Sequence, residues 1–156
     1  KKKEITKVID RHEFISSIKL KKKYPNTLKI VVTENIPVAT EINEKKKYYL
    51  TQKGKKISYI DIKIFKNLPV IFGNHKNFSS FFYKLKKSNF NINEIKAFYY
   101  FDIGRWDITL KDNRTIKLPK INYEDILTEV NLVLNNSSFS KYKIFDYRIK
   151  DQLILQ

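Results

Sequence analysis

The sequence predicts an α+β fold: a helix and a β-hairpin over residues 1–37, then an antiparallel β domain over residues 38–156 with two covering helices. Three observations predict it. Ten Tyr and eleven Phe, with abundant Ile, favour sheet, because aromatic and branched side chains fit a pleated, half-buried surface. Most apolar runs are short, alternate with polar residues and stop at turn-forming residues, which is strand patterning. Two longer segments instead repeat their apolar residues at helical spacing.

Residues 4–11 carry Ile5, Val8 and Ile9 at helical spacing and read as the last turns of a helix. Over 14–22 the period changes, with Ile18 and Leu20 alternating with Ser17, Lys19 and Lys21. Tyr24-Pro25-Asn26-Thr27 is a turn, and Leu28, Ile30 and Val32 alternate with Lys29, Val31 and Thr33 in the return strand. Pro37 lacks a ladder donor, which places a boundary between the two units there. Strands follow over 40–43 and 47–51 around a charged turn, and over 57–60 after a turn at Gly54. The run from Leu68 to Phe72 is apolar and ends at Gly73.

Phe78, Phe81, Phe82 and Leu85 fall at i, i+3, i+4 and i+7, a helix that Asn74 or Asn77 is placed to cap. Residues 92–102 return to strand. Neighbours in a strand point to opposite faces, so Phe98-Tyr99-Tyr100-Phe101 is at least half core rather than an exposed stacking platform. Trp106, Ile108 and Leu110 alternate with Asp107, Thr109 and Lys111, and Trp106 is expected to anchor the core. Asp112-Asn113 predicts a tight hairpin with both turn residues at positive φ. Asn122 is expected to cap a second helix, with Glu124 and Asp125 in its first turn and Ile126, Leu127, Val130, Val133 and Leu134 on its buried face. Strands over 142–148 and 153–155 close the chain. The last, carrying Leu153, Ile154 and Leu155, has one side free unless something covers it, and a free edge accepts a partner strand.

Composition bounds the function. The chain has no Cys, which excludes disulfides, zinc ribbons and thiol nucleophiles. No apolar run approaches the roughly 18 residues of a membrane span. Residues 1–3 lead into an amphipathic stretch rather than the apolar core of a signal peptide, an opening that reads as a point inside a longer protein. The net charge of +16 suggests nucleic acid, an anionic membrane surface or acidic partners. Against this, Lys, Asn and Ile have A/T-rich codons, only four Arg occur, and dedicated nucleic-acid readers use more Arg. On that reading the Lys runs at 21–23 and 45–47 are solvated loop ends.

No catalytic constellation emerges, and no metal or cofactor is expected. His12 sits at a helix end, where a cation is favourable, and His75 is expected to be exposed. No Ser lies in a Gly-x-Ser-x-Gly elbow. Glu124 and Asp125 point to different sides of their helix, no calcium loop occurs, and Gly54, Gly73 and Gly104 are isolated. Asp102 with Arg105, and Asp146 with Arg148, read as turn or strand-edge ion pairs.

Three ordered stretches nevertheless resemble a known family. The first is Tyr24-Pro25-Asn26-Thr27-Leu28-Lys29-Ile30 with Glu34-Asn35-Ile36-Pro37-Val38-Ala39. The second is Gln52-Lys53-Gly54 in its turn, then Leu68-Pro69-Val70-Ile71-Phe72-Gly73. The third is Gly104-Arg105-Trp106-Asp107-Ile108-Thr109-Leu110, Ile116-Lys117-Leu118-Pro119 and Phe145-Asp146-Tyr147-Arg148. Together they resemble the FtsQ/DivIB family of bacterial cell-division proteins, with Asn35 for the usual Arg, Gln52 for Asp and Tyr147 for Leu. The resemblance implies that residues 1–37 are the C-terminal half of a POTRA domain and 38–156 the family's β domain. It implies a non-enzymatic scaffold in the bacterial inner membrane, single-pass, with this part on the periplasmic side at the division site and the span outside this chain. The implied partners are FtsB- and FtsL-like division proteins and other divisome proteins, not nucleic acid, bound by strand addition at the last strands. By position, Arg148 would meet an acidic partner residue, and Ile149, Leu153, Ile154 and Leu155 would line the contact, with Arg105 on a neighbouring strand. The alternative from composition alone is a basic module for nucleic acid or an anionic membrane surface.

Overall fold

The strands form two sheets in the computed structural model, which describes residues 7, 9, 11–43, 46–73 and 76–156. β1 (Ile15–Lys23) and β2 (Thr27–Glu34) pair antiparallel as a separate hairpin. Ile18 lies opposite Val32 and Leu20 opposite Ile30, so apolar side chains share one face, while Lys21 lies opposite Lys29 on the other. Of the helix expected over residues 4–11, Lys7, Ile9 and Arg11 are helical, and the rest lies outside the described residues.

The second sheet holds β3 (Pro37–Asn43), β4 (Lys46–Thr51), β5 (Lys56–Ser58), β6 (Val70–Phe72), β7 (Ile95–Phe101), β8 (Arg105–Leu110), β9 (Thr115–Lys117), β10 (Ile144–Asp146) and β11 (Ile154–Leu155), in the spatial order β11-β10-β9-β8-β7-β6-β3-β4-β5. The sheet is mostly antiparallel, as the patterning implies, with three exceptions: β3–β6, β6–β7 and β9–β10 are parallel. For β6–β7 and β9–β10 the reason is in the connections: α1 (Phe78–Lys87) separates β6 from β7, and α2 (Glu124–Asn135) separates β9 from β10; β3 and β6 are joined through β4 and β5. A helix returning the chain to its starting end makes the flanking strands parallel.

Both helices pack into one core. Phe78, Phe81, Phe82 and Leu85 of α1 and Leu127 and Val130 of α2 join the register row Ile71, Phe98, Ile108, Ile116, Phe145 and Leu155, which runs across six strands. Burying each such large side chain contributes about 1.5–3 kcal/mol. Trp106 is buried and stacks on Phe81 at 4.7 Å. Phe98 is fully buried while Tyr99 and Phe101 point to the opposite, exposed face, and Tyr100 leans on Trp106 at 4.8 Å.

The expected caps fare differently. Asn77 occupies the N-cap of α1 but makes no side-chain cap; its amide donates to the Tyr100 hydroxyl at 2.9 Å. Asn74 and His75 lie outside the described residues. Asn122 does not cap α2: Tyr123 takes that position and Asn122 turns the chain at φ 57°. Glu124 instead pairs with Lys84, tying the two helices together. In the β8–β9 loop only Asn113 has positive φ, at 67°. Asp112 uses its carboxylate, accepting from the Arg114 backbone N–H at 3.0 Å and Nε at 2.6 Å, so the two-residue turn becomes a four-residue loop.

The hairpin is fastened to the β5 end of the sheet. Phe14 and Phe65 stack at 6.3 Å, and both meet the buried ring of Tyr49 edge-on. The Ser58 backbone N–H donates to the Glu13 carboxylate, and this bond holds the Glu13 carboxyl below its ordinary value. The amide of Asn35 and the ammonium of Lys55 both donate to the Glu13 carbonyl, at 2.8 and 3.4 Å.

Candidate functional site

The far end of the sheet is built from the last thirteen residues. After α2 the chain enters β10, parallel to β9, and buries Phe145 in the core. A turn through residues 147–153, with Asp151 at φ 58°, folds β11 back antiparallel onto β10. Ile144 and Gln156 exchange both backbone hydrogen bonds, at 2.9 and 3.1 Å. Bonded and non-bonded pairs alternate in an antiparallel ladder. The N–H and C=O of Leu155 therefore face away from β10, toward a side that carries no strand among the described residues.

Alternation divides the expected contact residues between two faces. Leu153 and Leu155 pack against the core, fixing β11 in place, whereas Ile154 is exposed on the opposite face. Ile149 is exposed in the turn. Arg148 and Arg105 belong to Ile154's face, because Asp107, Lys117, Asp146 and Ile154 form one register row, and each Arg is two residues from its Asp. The row continues on the other side through Tyr99 and Phe72, whose exposed rings stack at 4.9 Å. This is the sheet face opposite the helices.

The two Arg residues are held differently. Arg148 donates from Nε to Asp146 at 2.8 and 3.0 Å and from Nη2 at 2.6 Å, while Asp146 also accepts from the Arg148 backbone N–H at 3.1 Å. Its Nη1 makes no hydrogen bond among the described residues, and nearly half the side chain is exposed. Arg105 pairs not with Asp102, its neighbour across the turn, but with Asp107, at 3.2 Å from Nε and 3.3 Å from Nη2. In a strand, side chains two apart share a face and three apart do not. The Arg105 guanidinium also lies 4.2 Å from the Phe101 ring centre and is mostly buried. Its Nε contact with Asp107 is ionic, without hydrogen-bond geometry. Arg148 thus keeps one guanidinium nitrogen outside its pair with Asp146, whereas Arg105 is chiefly engaged within the fold.

Buried Asp107 and Asp146 are the residues that sequence reasoning undervalued; an acid at an alternating position between core residues was the available signal. Burial pushes the Asp107 carboxyl up, against the pull of Arg105 and Arg148. The Arg148 hydrogen bonds hold the Asp146 carboxyl below its ordinary range, with burial opposing. The stability this second pair contributes is therefore present above the unfolded value, about 3.9, and lost as pH falls through the folded one. Asp146→Asn should lower the urea midpoint at neutral pH, and the gap should close below about pH 4; a gap independent of pH would refute the assignment. Tyr147 keeps a buried hydroxyl with no hydrogen-bond partner among the described residues, and burial pushes it up to about 12, with Glu129 adding to the effect.

Among the described residues no three His, Asp or Glu side chains converge to hold a metal, and no helix is long and apolar enough to cross a membrane. His12 is exposed, as its position suggested.

A family model described as "Cell division protein FtsQ/DivIB, C-terminal" matches residues 39–148, ending at Arg148 and leaving β11 just beyond it. The chain is 29% identical over 157 residues to the cell division protein FtsQ of Rickettsia typhi, covering 98% of this chain and 59% of that protein. The FtsQ of Rickettsia prowazekii is 27% identical over 161 residues, with 98% and 58% covered. That of Blochmanniella floridana is 28% identical over 138 residues, with 76% and 46% covered. The chain thus spans less than three fifths of the length of these curated relatives.

Proposed function

Because the chain belongs to the FtsQ/DivIB family of cell division proteins, we propose that it is part of a non-enzymatic scaffold that captures FtsB- and FtsL-type division proteins by strand addition at β11. The observation that carries this reading is the outward-facing N–H and C=O of Leu155, together with an Arg148 Nη1 that makes no hydrogen bond among the described residues. A partner strand laid along β11 makes main-chain hydrogen bonds to Leu153 and Leu155, and an acidic partner side chain meets Arg148. Exposed Ile149 and Ile154 add apolar contact on the open face, and Arg105 supports the charge pattern from within. On this reading residues 1–37 close a POTRA domain, and the protein is held in the inner membrane by a span outside this chain, with the β domain on the periplasmic side at the division site.

The test separates backbone from side chain. Leu155→Pro removes the outward N–H without removing a β10–β11 hydrogen bond, and Leu155→Ala keeps that N–H. By calorimetry with the periplasmic segment of the FtsB-like protein from the same cell, the Pro variant should bind at least about tenfold more weakly, and the Ala variant within about threefold of the parent. Equal affinities of the Pro variant and the parent would rule out strand addition. Arg148→Ala should weaken binding about fivefold or more, with a shallower dependence on salt.

A further inference from the structure

The β1–β2 hairpin carries a feature that strand addition at β11 does not use. Lys19, Lys21 and Lys23 occupy alternate positions of β1 and therefore one face. Lys29 lies directly opposite Lys21 and joins them. All four are exposed, and none makes an ion pair or hydrogen bond among the described residues. The sequence from Phe14 to Thr33 contains no Asp or Glu, and Glu13 is already bound to Ser58. Like charges directly opposite across a strand pair destabilise it, and no acidic side chain among the described residues offsets the Lys21–Lys29 pair. Tyr24 stands at the tip of the hairpin and is 85% exposed, while Lys22, opposite Leu28, belongs to the other face. The run at 21–23, which composition alone reads as a solvated loop end, is thus three strand residues, two of which belong to an ordered lysine face.

We propose that this lysine face docks on the anionic headgroups of a phospholipid bilayer, with Tyr24 at the level of the headgroups. The four ammonium groups spread along about 14 Å of strand and present point charges suited to a headgroup layer. Tyr is a residue of membrane–water interfaces, where its ring is half apolar and half wet. Nucleic acid is the poorer fit. The face carries no Arg fork, and no aromatic ring alternates with its lysines to stack bases. The apolar face on the other side of the hairpin takes no part. The inference is independent of the β11 reading.

The test uses the full chain and co-sedimentation with vesicles of phosphatidylcholine alone or mixed with phosphatidylglycerol, at about 0.15 M salt, where charges are screened beyond about 8 Å. Lys19→Gln, Lys21→Gln, Lys23→Gln and Lys29→Gln together should weaken binding to the anionic vesicles at least about tenfold. A control with Lys53→Gln, Lys63→Gln, Lys87→Gln and Lys111→Gln removes the same charge from exposed sites elsewhere and should change binding by less than about threefold. Tyr24→Trp should show blue-shifted emission with anionic vesicles only, against the constant background of buried Trp106. Equal losses in the two quadruple variants, indifference to phosphatidylglycerol, an unshifted emission of the Tyr24→Trp variant, or preference for duplex DNA over vesicles would each overturn the proposal. The hairpin variant should still bind the FtsB-like segment, so failure here is distinguishable from failure at β11.

Discussion

Gly73→Ala is expected to destabilise the protein by about 3 kcal/mol or more, because it combines a strained backbone with a steric overlap. Gly73 ends β6 at φ 93°, a region that costs any residue with a Cβ. A Cβ built there would land on the Tyr100 carbonyl oxygen, with the Tyr100 carbonyl carbon only 3.2 Å away. Neither atom can yield, because Tyr100 belongs to β7, the parallel neighbour of β6. Relief requires β6 to part from β7 between the two halves of the sheet. Gly54→Ala is the internal comparison. Its φ of 77° is similarly unfavourable, but a Cβ there meets only the Ser79 Cβ at an ordinary 3.6 Å, so the cost should be about 1–2 kcal/mol. Urea unfolding of the two variants decides the matter. Equal midpoints would show that the close approach at Tyr100 is not what requires glycine at the end of the Leu68–Gly73 run.

Trp106→Ala should cost about 3–5 kcal/mol, the usual range for emptying a large aromatic site, against a total stability of about 5–15 kcal/mol for a domain of this kind. Trp106 joins three elements: it stacks on Phe81 of α1 at 4.7 Å, meets Phe78 at 6.1 Å and faces Tyr100 of β7 at 4.8 Å. Its removal leaves α1 without its main anchor on β8. Trp106→Phe fills most of the space and should cost less than half as much. Far-ultraviolet circular dichroism during urea titration follows both variants without relying on the lost fluorophore. A Phe variant as damaged as the Ala variant would mean that the site depends on the indole itself and not on the volume it fills.

The parts of the fold legible in the sequence are those imposed by one-sided burial. Phe78, Phe81, Phe82 and Leu85 repeat as a helix does because one helix face lies against the sheet. Trp106, Ile108 and Leu110 alternate because one strand face does. What escaped depends on residues far apart in the chain. Two of the three parallel pairings, β6–β7 and β9–β10, follow from where α1 and α2 return the chain, and β3–β6 from the passage through β4 and β5, none of which a local pattern records. Asn122 looks like a cap, but the chain reaches α2 through a left-handed turn at that residue, which leaves its side chain out of capping position. Arg105 has acids on both sides, and only strand alternation selects Asp107 over Asp102. At the candidate site, the edge position of β11 could be expected from a terminal strand. The outward N–H of Leu155 required the ladder itself, and the Arg148 Nη1 that bonds to none of the described residues required the side-chain geometry at Asp146. The lysine face likewise exists only once Lys21 and Lys29 are seen to be in register.

The position of the clasp between Glu13 and Ser58 makes the large sheet a spacer. Eight steps separate β5 from β11 in the strand order, and at about 4.8 Å each they amount to roughly 38 Å along the sheet. The hairpin is fastened at one limit of that span and the open edge lies at the other, so a strand added to β11 lengthens the sheet away from the hairpin. On the two proposals above, a partner held at the edge stands at arm's length from the surface the hairpin meets, at a reach set by the number of strands rather than by any linker.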